Sequence, residues 1–224
     1  MMLSRSHVAT VFLLILTTLA LHGGQTKQPQ ASPVPPKQAA REGNPKAAIE
    51  FRKSQEAFND GRLDKAIQYL RNGIALDPSN TDAYNDLGVI YANSNQPLKA
   101  LEAFSAMVEI DPQCFRGYIN LAYLLQAQQR YPDAERAARR AVDLRKMDLK
   151  ARYLLGISLA AQKKNMEEAM ENLAASAEEF PDAHLEMSRI LIEQGQFDRA
   201  MRELQTFTRT GRLAGGGSRQ LLAK

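Results

Sequence analysis

Tryptophan is absent from this chain of 224 residues, aromatic residues make up only 7% of it, and Cys114 is the sole cysteine. One cysteine excludes an intramolecular disulfide, and none lies near the amino terminus to carry a lipoprotein anchor. His7, His22 and His184 are far apart and no Cys/His spacing suits zinc, so no metal site and no cofactor are expected. Alternating Val, Ile and Thr are also missing, while Ala and Leu recur at helical intervals, which predicts an all-α chain.

Catalytic patterns are equally scarce. No nucleophile stands in a recognisable frame with a base, and Gly215-Gly216-Gly217 lacks the Lys-Ser/Thr of a phosphate-cradling loop. The pairs Glu167-Glu168 and Glu178-Glu179 read as solvated helix charge rather than a carboxylate couple. No catalytic residue is assigned, and the chain is not expected to be an enzyme.

After one run near the start, no apolar stretch is long enough to span a bilayer. That run, residues 8–21, follows Arg5 and precedes the small residues Gly23 and Gly24, the pattern of an export signal over residues 1–23. About fourteen residues fall short of the roughly 20 that a spanning helix needs, which favours cleavage over a permanent anchor. The expected location is therefore exported, periplasmic or secreted, with anchoring by an uncleaved segment as the alternative. Residues 24–44 carry Pro29, Pro33, Pro35 and Pro36 among polar residues and read as a disordered linker.

The net charge of +4 comes from the ends. Residues 45–208 hold 21 Lys and Arg against 24 Asp and Glu, whereas residues 209–224 hold Arg209, Arg212, Arg219 and Lys224 with no acid, a flexible basic tail. The local run Arg136, Arg139, Arg140, Arg145, Lys146, Lys150 and Arg152 is broken by Asp143 and Asp148 and lacks stacking aromatics, so no nucleic-acid partner is expected.

What the chain does have is a period. Ala66, Ala100, Ala134, Ala169 and Ala200 recur at intervals of 34, 34, 35 and 31 residues, each following a polar turn. Twelve or thirteen residues before each stands a second small residue: Ser54, Gly88, Ala122, Gly156 and Ser188. Small side chains on both members of a helix pair allow close approach, so these positions are packing positions. Asp77-Pro78, Asp111-Pro112 and Phe180-Pro181 close three of the units, because proline cannot continue a helix. Arg145-Lys146 replaces that stop in the third unit, whose final turn is expected to run on. Asn44 and Pro45 are placed to cap and open the first helix.

These residues resemble the tetratricopeptide repeat. The second unit matches best, with Tyr84, Leu87, Gly88, Tyr91, Ala100, Phe104 and Pro112, and the third follows with Tyr118, Leu121, Ala122, Leu125, Ala134 and Ala141. The first departs at Glu50 and Lys53, as an end cap would. The fourth has an extra residue around Lys163 to Asn165, so irregular stacking of the last two units is expected. The resemblance implies a right-handed superhelical solenoid of about five repeats, at 47–80, 81–114, 115–148, 149–181 and 182–208, within a domain spanning 45–208.

It further implies that the first helix of each unit lines a concave groove. In that frame the groove residues are Phe51, Gln55, Asn85, Val89, Asn93, Arg116, Ile119, Asn120, Tyr123, Lys150, Tyr153, Ile157, Leu185 and Arg189, centred on units two to four. Packing against the next unit is the alternative for Ile119, Tyr153 and Ile157. One subfamily grips a C-terminal carboxylate, but only Asn120 and Lys150 fit its set; Asn85, Val89 and Leu154 do not. The partner implied is a protein or peptide; a self-assembling component of an envelope machine is the rival role.

Overall fold

The structure is a computed structural model, and it is described over residues 44–221. The expected export signal and all but Asn44 of the expected linker lie outside the described residues. The described residues form ten helices: α1 (Pro45–Asn59), α2 (Leu63–Leu76), α3 (Thr81–Asn93), α4 (Pro97–Ile110), α5 (Phe115–Ala127), α6 (Tyr131–Leu144), α7 (Leu149–Ala161), α8 (Met166–Ser176), α9 (Asp182–Glu193) and α10 (Phe197–Leu221). Among the described residues there is no strand, and no helix is long and apolar enough to cross a membrane.

Each odd-numbered helix turns back into the next through one local device. Gly61, Asn95, Gln129, Lys163 and Gly195 all sit at positive φ. The amide after each donates to a carbonyl five residues back, as in Arg62 to Ala57 and Gln96 to Tyr91. This is the Schellman closure, which satisfies the last carbonyls of a helix and reverses the chain. The extra residue of the fourth unit is absorbed here: Asn165 adds a second left-handed residue at φ 45°, beside Lys163 at 53°. The stack is not interrupted, since α9 still packs on both α7 and α8.

Within each hairpin the small residues lie buried between the two helices. Ala66, Ala100, Ala134, Ala169, Ala200 and Ala122 are fully buried, with Ser54 and Ser188 nearly so. Gly88 shows why size matters: a methyl group there would lie 2.4 Å from Cε1 of Phe104, and one at Gly156 2.7 Å from Cγ of Leu173. The two helices of a unit can be this close only because a side chain is missing.

Junctions between units rely on side-chain caps. Asn44 accepts the Lys46 amide with Pro45 at the first helical position, Asn80 accepts from Ala83, and Asp148 accepts from Ala151. Pro112 follows the extended Asp111 that ends α4. The third unit does not run on. Arg145 ends α6 at φ −144° and ψ 85°, close to the −140° and 82° of Asp77. Its guanidinium lies 4.2 Å from the centre of the Phe115 ring, Arg152 donates to the Lys146 carbonyl at 2.8 Å, and Asp148 starts α7. Stacking and capping thus stop the helix without proline.

At the two ends the array departs from its period. Glu50 accepts from Lys53 at 2.7 Å and from Asn72 at 3.2 Å, a polar closure of the first hairpin at the position that Tyr84 and Tyr118 hold in the next two units. At the other end α10 continues to Leu221, past the boundary at 208 that the repeat pattern sets. No proline interrupts it, although its three consecutive glycines are poor helix formers.

Candidate partner-binding face

The backbones of α5 and α7, and of α7 and α9, approach one another directly, whereas no two even-numbered helices come as close. Successive hairpins therefore fan outward on the even side, and the odd-numbered helices line the inner side of the curve. Each odd helix presents a stripe at spacings of three or four and then seven residues, one face of an α-helix. The stripes are Asp82, Asn85, Asp86 and Val89 on α3; Arg116, Asn120 and Tyr123 on α5; Lys150, Tyr153 and Ile157 on α7; Asp182, Leu185, Glu186 and Arg189 on α9.

Cross-links join these stripes. Asn120 Nδ2 donates to Asn85 Oδ1 at 2.9 Å, and Arg116 Nη1 meets Asp82 Oδ1 at the same distance. Between α5 and α7, Gln126 Nε2 donates to the Leu154 carbonyl at 2.6 Å and to Ser158 Oγ at 2.8 Å. Asn85 is buried, and its amide donates to Asp86 at 3.3 Å. Desolvation raises the Asp86 carboxyl above its ordinary range, with Asp82 adding and the Asn85 bond opposing.

An aromatic wall follows. The rings of Tyr153 and Phe180 stack with centres 4.8 Å apart and planes 14° from parallel. Burial pushes the Tyr153 hydroxyl up to about 12, helped by the carboxylates of Asp182 and Glu186. Burial also raises Tyr123. Lys150, in the first turn of α7, is exposed and has no carboxylate within 4 Å among the described residues.

Other expected groove residues are used elsewhere. Ile119 is only 5% exposed and belongs to the core, and Val89, Tyr123, Tyr153 and Ile157 are half-buried against it. Phe51 packs its ring where a Gly73 side chain would be. Gln55 is bonded along its own helix to Asn59, and Arg189 pairs with Glu186. Asn93 is exposed at the end of α3. Asp82, Asp86 and Gln126 are not among the expected groove residues, and Phe180 was expected only to close its unit; the helical spacing of Asp82 and Asp86 from Val89 is the signal that places them on this face.

The arginines that α6 contributes to the basic run are engaged within the fold. Arg136 pairs with Asp133, Arg140 reaches the Pro112 carbonyl, and Arg139 binds Glu135 at 2.9 Å and Glu168 through two bonds of 2.5 and 2.8 Å. Lys164, supplied by the longer turn of the fourth unit, also reaches Glu135, at 3.2 Å. Glu168 is thus a staple between α6 and α8. Among the described residues no three His, Cys, Asp or Glu side chains gather as metal ligands.

The tetratricopeptide repeat matches the chain over residues 57–121 and again over 119–184, together more than half of it. A TPR repeat-containing thioredoxin of Oryza sativa subsp. japonica is 33% identical over 73 residues; these are 33% of this chain but only 23% of the rice protein. Among solved structures, MamA from Desulfovibrio magneticus superposes with a TM-score of 0.68 at 18% identity, covering 75% of this chain and 97% of that one. YrrB, a TPR protein with an unusual peptide-binding site, gives 0.64 at 21%, covering 72% and 84%. At such identities the likeness is one of fold. With five hairpins on this plan, and both matches falling within them, the chain belongs to the tetratricopeptide-repeat family.

Proposed function

We propose that the protein is a non-catalytic interaction scaffold, working outside the cytoplasm, that receives an extended segment of a partner protein along the inner face of α3, α5 and α7. The observation that carries this reading is the Asn85–Asn120 ladder beside Tyr123 and Tyr153. Asn120 keeps its Oδ1 and its second amide proton for a partner backbone, and the tyrosines supply rigid apolar area. A repeat array offers an extended surface rather than an enclosed cavity, which suits a chain segment better than a small molecule. The solved YrrB structure, whose fold this chain shares, is that of a protein with a peptide-binding site. Export rests on the apolar run at residues 8–21.

Photo-crosslinking tests the face. A benzophenone side chain at Val89 or Tyr123 is expected to capture a partner from envelope extract, while one at Arg136 on α6 captures none. Equal capture from both faces would overturn the assignment, and a protein found only in the cytoplasm would overturn the location.

A further inference from the structure

Two ion pairs absorb much of the charge on the inner face: Arg116 with Asp82, and Arg189 with Glu186. Asp86 is left over. Among the described residues no cation lies within 4 Å of its carboxylate, and its side-chain hydrogen bond comes from the neutral amide of Asn85 at 3.3 Å. The side chain is half-buried, and desolvation outweighs the distant pull of Arg116. Holding a carboxylate out of water without a counter-ion costs stability. The fold does not require the charge, since an asparagine would accept the same bond from Asn85.

The surroundings suit a cation on a long apolar stem. Val89 lies one turn further along α3, and Tyr123 stands on the facing stripe of α5, one turn from Asn120. Methylene groups of lysine or arginine can lie along such surfaces while the charged head reaches a carboxylate. Asp182 also faces inward, but it shares its end of the face with Lys150, in the first turn of the neighbouring α7, whose charge opposes a second cation.

Building on the groove reading above, we propose that Asp86 seats a lysine or arginine side chain of the partner segment, with Val89 and Tyr123 flanking its stem and Asn120 holding the adjacent backbone.

The test uses the full chain and fluorescein-labelled heptapeptides, blocked at both ends, with a central Lys or Arg, against the same peptides with Gln. Fluorescence anisotropy should show the cationic peptides binding about tenfold more tightly, the scale of one charge-assisted hydrogen bond. The preference should shrink with added salt, disappear in Asp86→Asn and persist in Arg136→Ala on the outer face. A thermal melt of Asp86→Asn verifies its fold. Equal binding of Lys and Gln peptides, a preference that survives Asp86→Asn, or no binding of the cationic peptides would each overturn the proposal. The groove reading is separable: peptides that bind without charge preference and are lost on Tyr123→Ala sink the cation seat alone. Crosslinks absent from Val89 and Tyr123 sink the groove itself.

Discussion

Asn120 Nδ2 lies 2.9 Å from Asn85 Oδ1, so two carboxamides 35 residues apart in sequence tie the second repeat to the third. The bond is partly shielded from water, and it fixes the side chain that is offered to a partner. Asn120→Ala leaves a buried acceptor without its donor, at a cost of about 1–2 kcal/mol. The melting temperature should drop by roughly 2–8 °C for a domain of this size. A double-mutant cycle with Asn85→Ala should show coupling; additive costs would mean that the ladder carries no energy.

Close approach of α3 and α4 rests on Gly88 against Phe104. Gly88→Ala overfills that contact and should cost about 1–3 kcal/mol in urea unfolding. Phe104→Leu withdraws the ring atoms that the new methyl would strike. Combined, the two changes should destabilise less than the sum of each alone, and simple additivity would refute the contact.

Acid should loosen the staple between the third and fourth repeats. Burial works to raise the Glu135 carboxyl, but hydrogen bonds from Arg139, Lys164 and Gln162 outweigh it and hold it below its ordinary 4.5. Glu168 is lowered chiefly by Arg139. A carboxyl whose pKa falls on folding stabilises the fold above its unfolded pKa, and that contribution is lost as pH drops through the folded value. The double variant Glu135→Gln with Glu168→Gln should therefore melt lower than the parent near neutral pH, and the difference should vanish at strongly acid pH. A constant difference across the series would contradict this.

Asp86 carries the opposite sign. Its carboxyl is raised above the ordinary 3.8, chiefly by desolvation, so ionisation disfavours the folded chain. Its penalty is absent below the unfolded pKa and grows to its full value as pH rises through the folded one. Asp86→Asn should raise the melting temperature at neutral pH and change it little at strongly acid pH. A lower neutral melting temperature would show that the charge is compensated within the chain.

The repeat was legible in the sequence because its signal is steric: a methyl group or a hydrogen is what the hairpin contact accepts, so Ala100, Gly88 and their counterparts recur at a fixed interval. The turns were less visible, since Asn95, Gln129 and Lys163 hold left-handed positions that Gly61 and Gly195 mark openly. At Arg145 the stop comes from a ring 30 residues earlier, Phe115, and from the cap on the next helix, which a local reading of Arg-Lys misses. The inner face was legible as a frame but not in its pairing. Arg116 is tied to Asp82, Asn85 is buried under Asn120 and Ile119 has turned into the core, while Asn93 and Lys150 stand exposed with no side-chain partner among the described residues. Which polar group stays free depends on neighbours about 34 residues away, and spacing within one helix carries no record of them.

The central claim is that the inner face of the odd-numbered helices is where a partner binds. Affinity capture from envelope extract with the full chain, set beside Asn120→Ala combined with Lys150→Ala, tests it most directly. The double variant should stay folded and lose the partner that the parent retains. A partner held equally well by both would contradict the account.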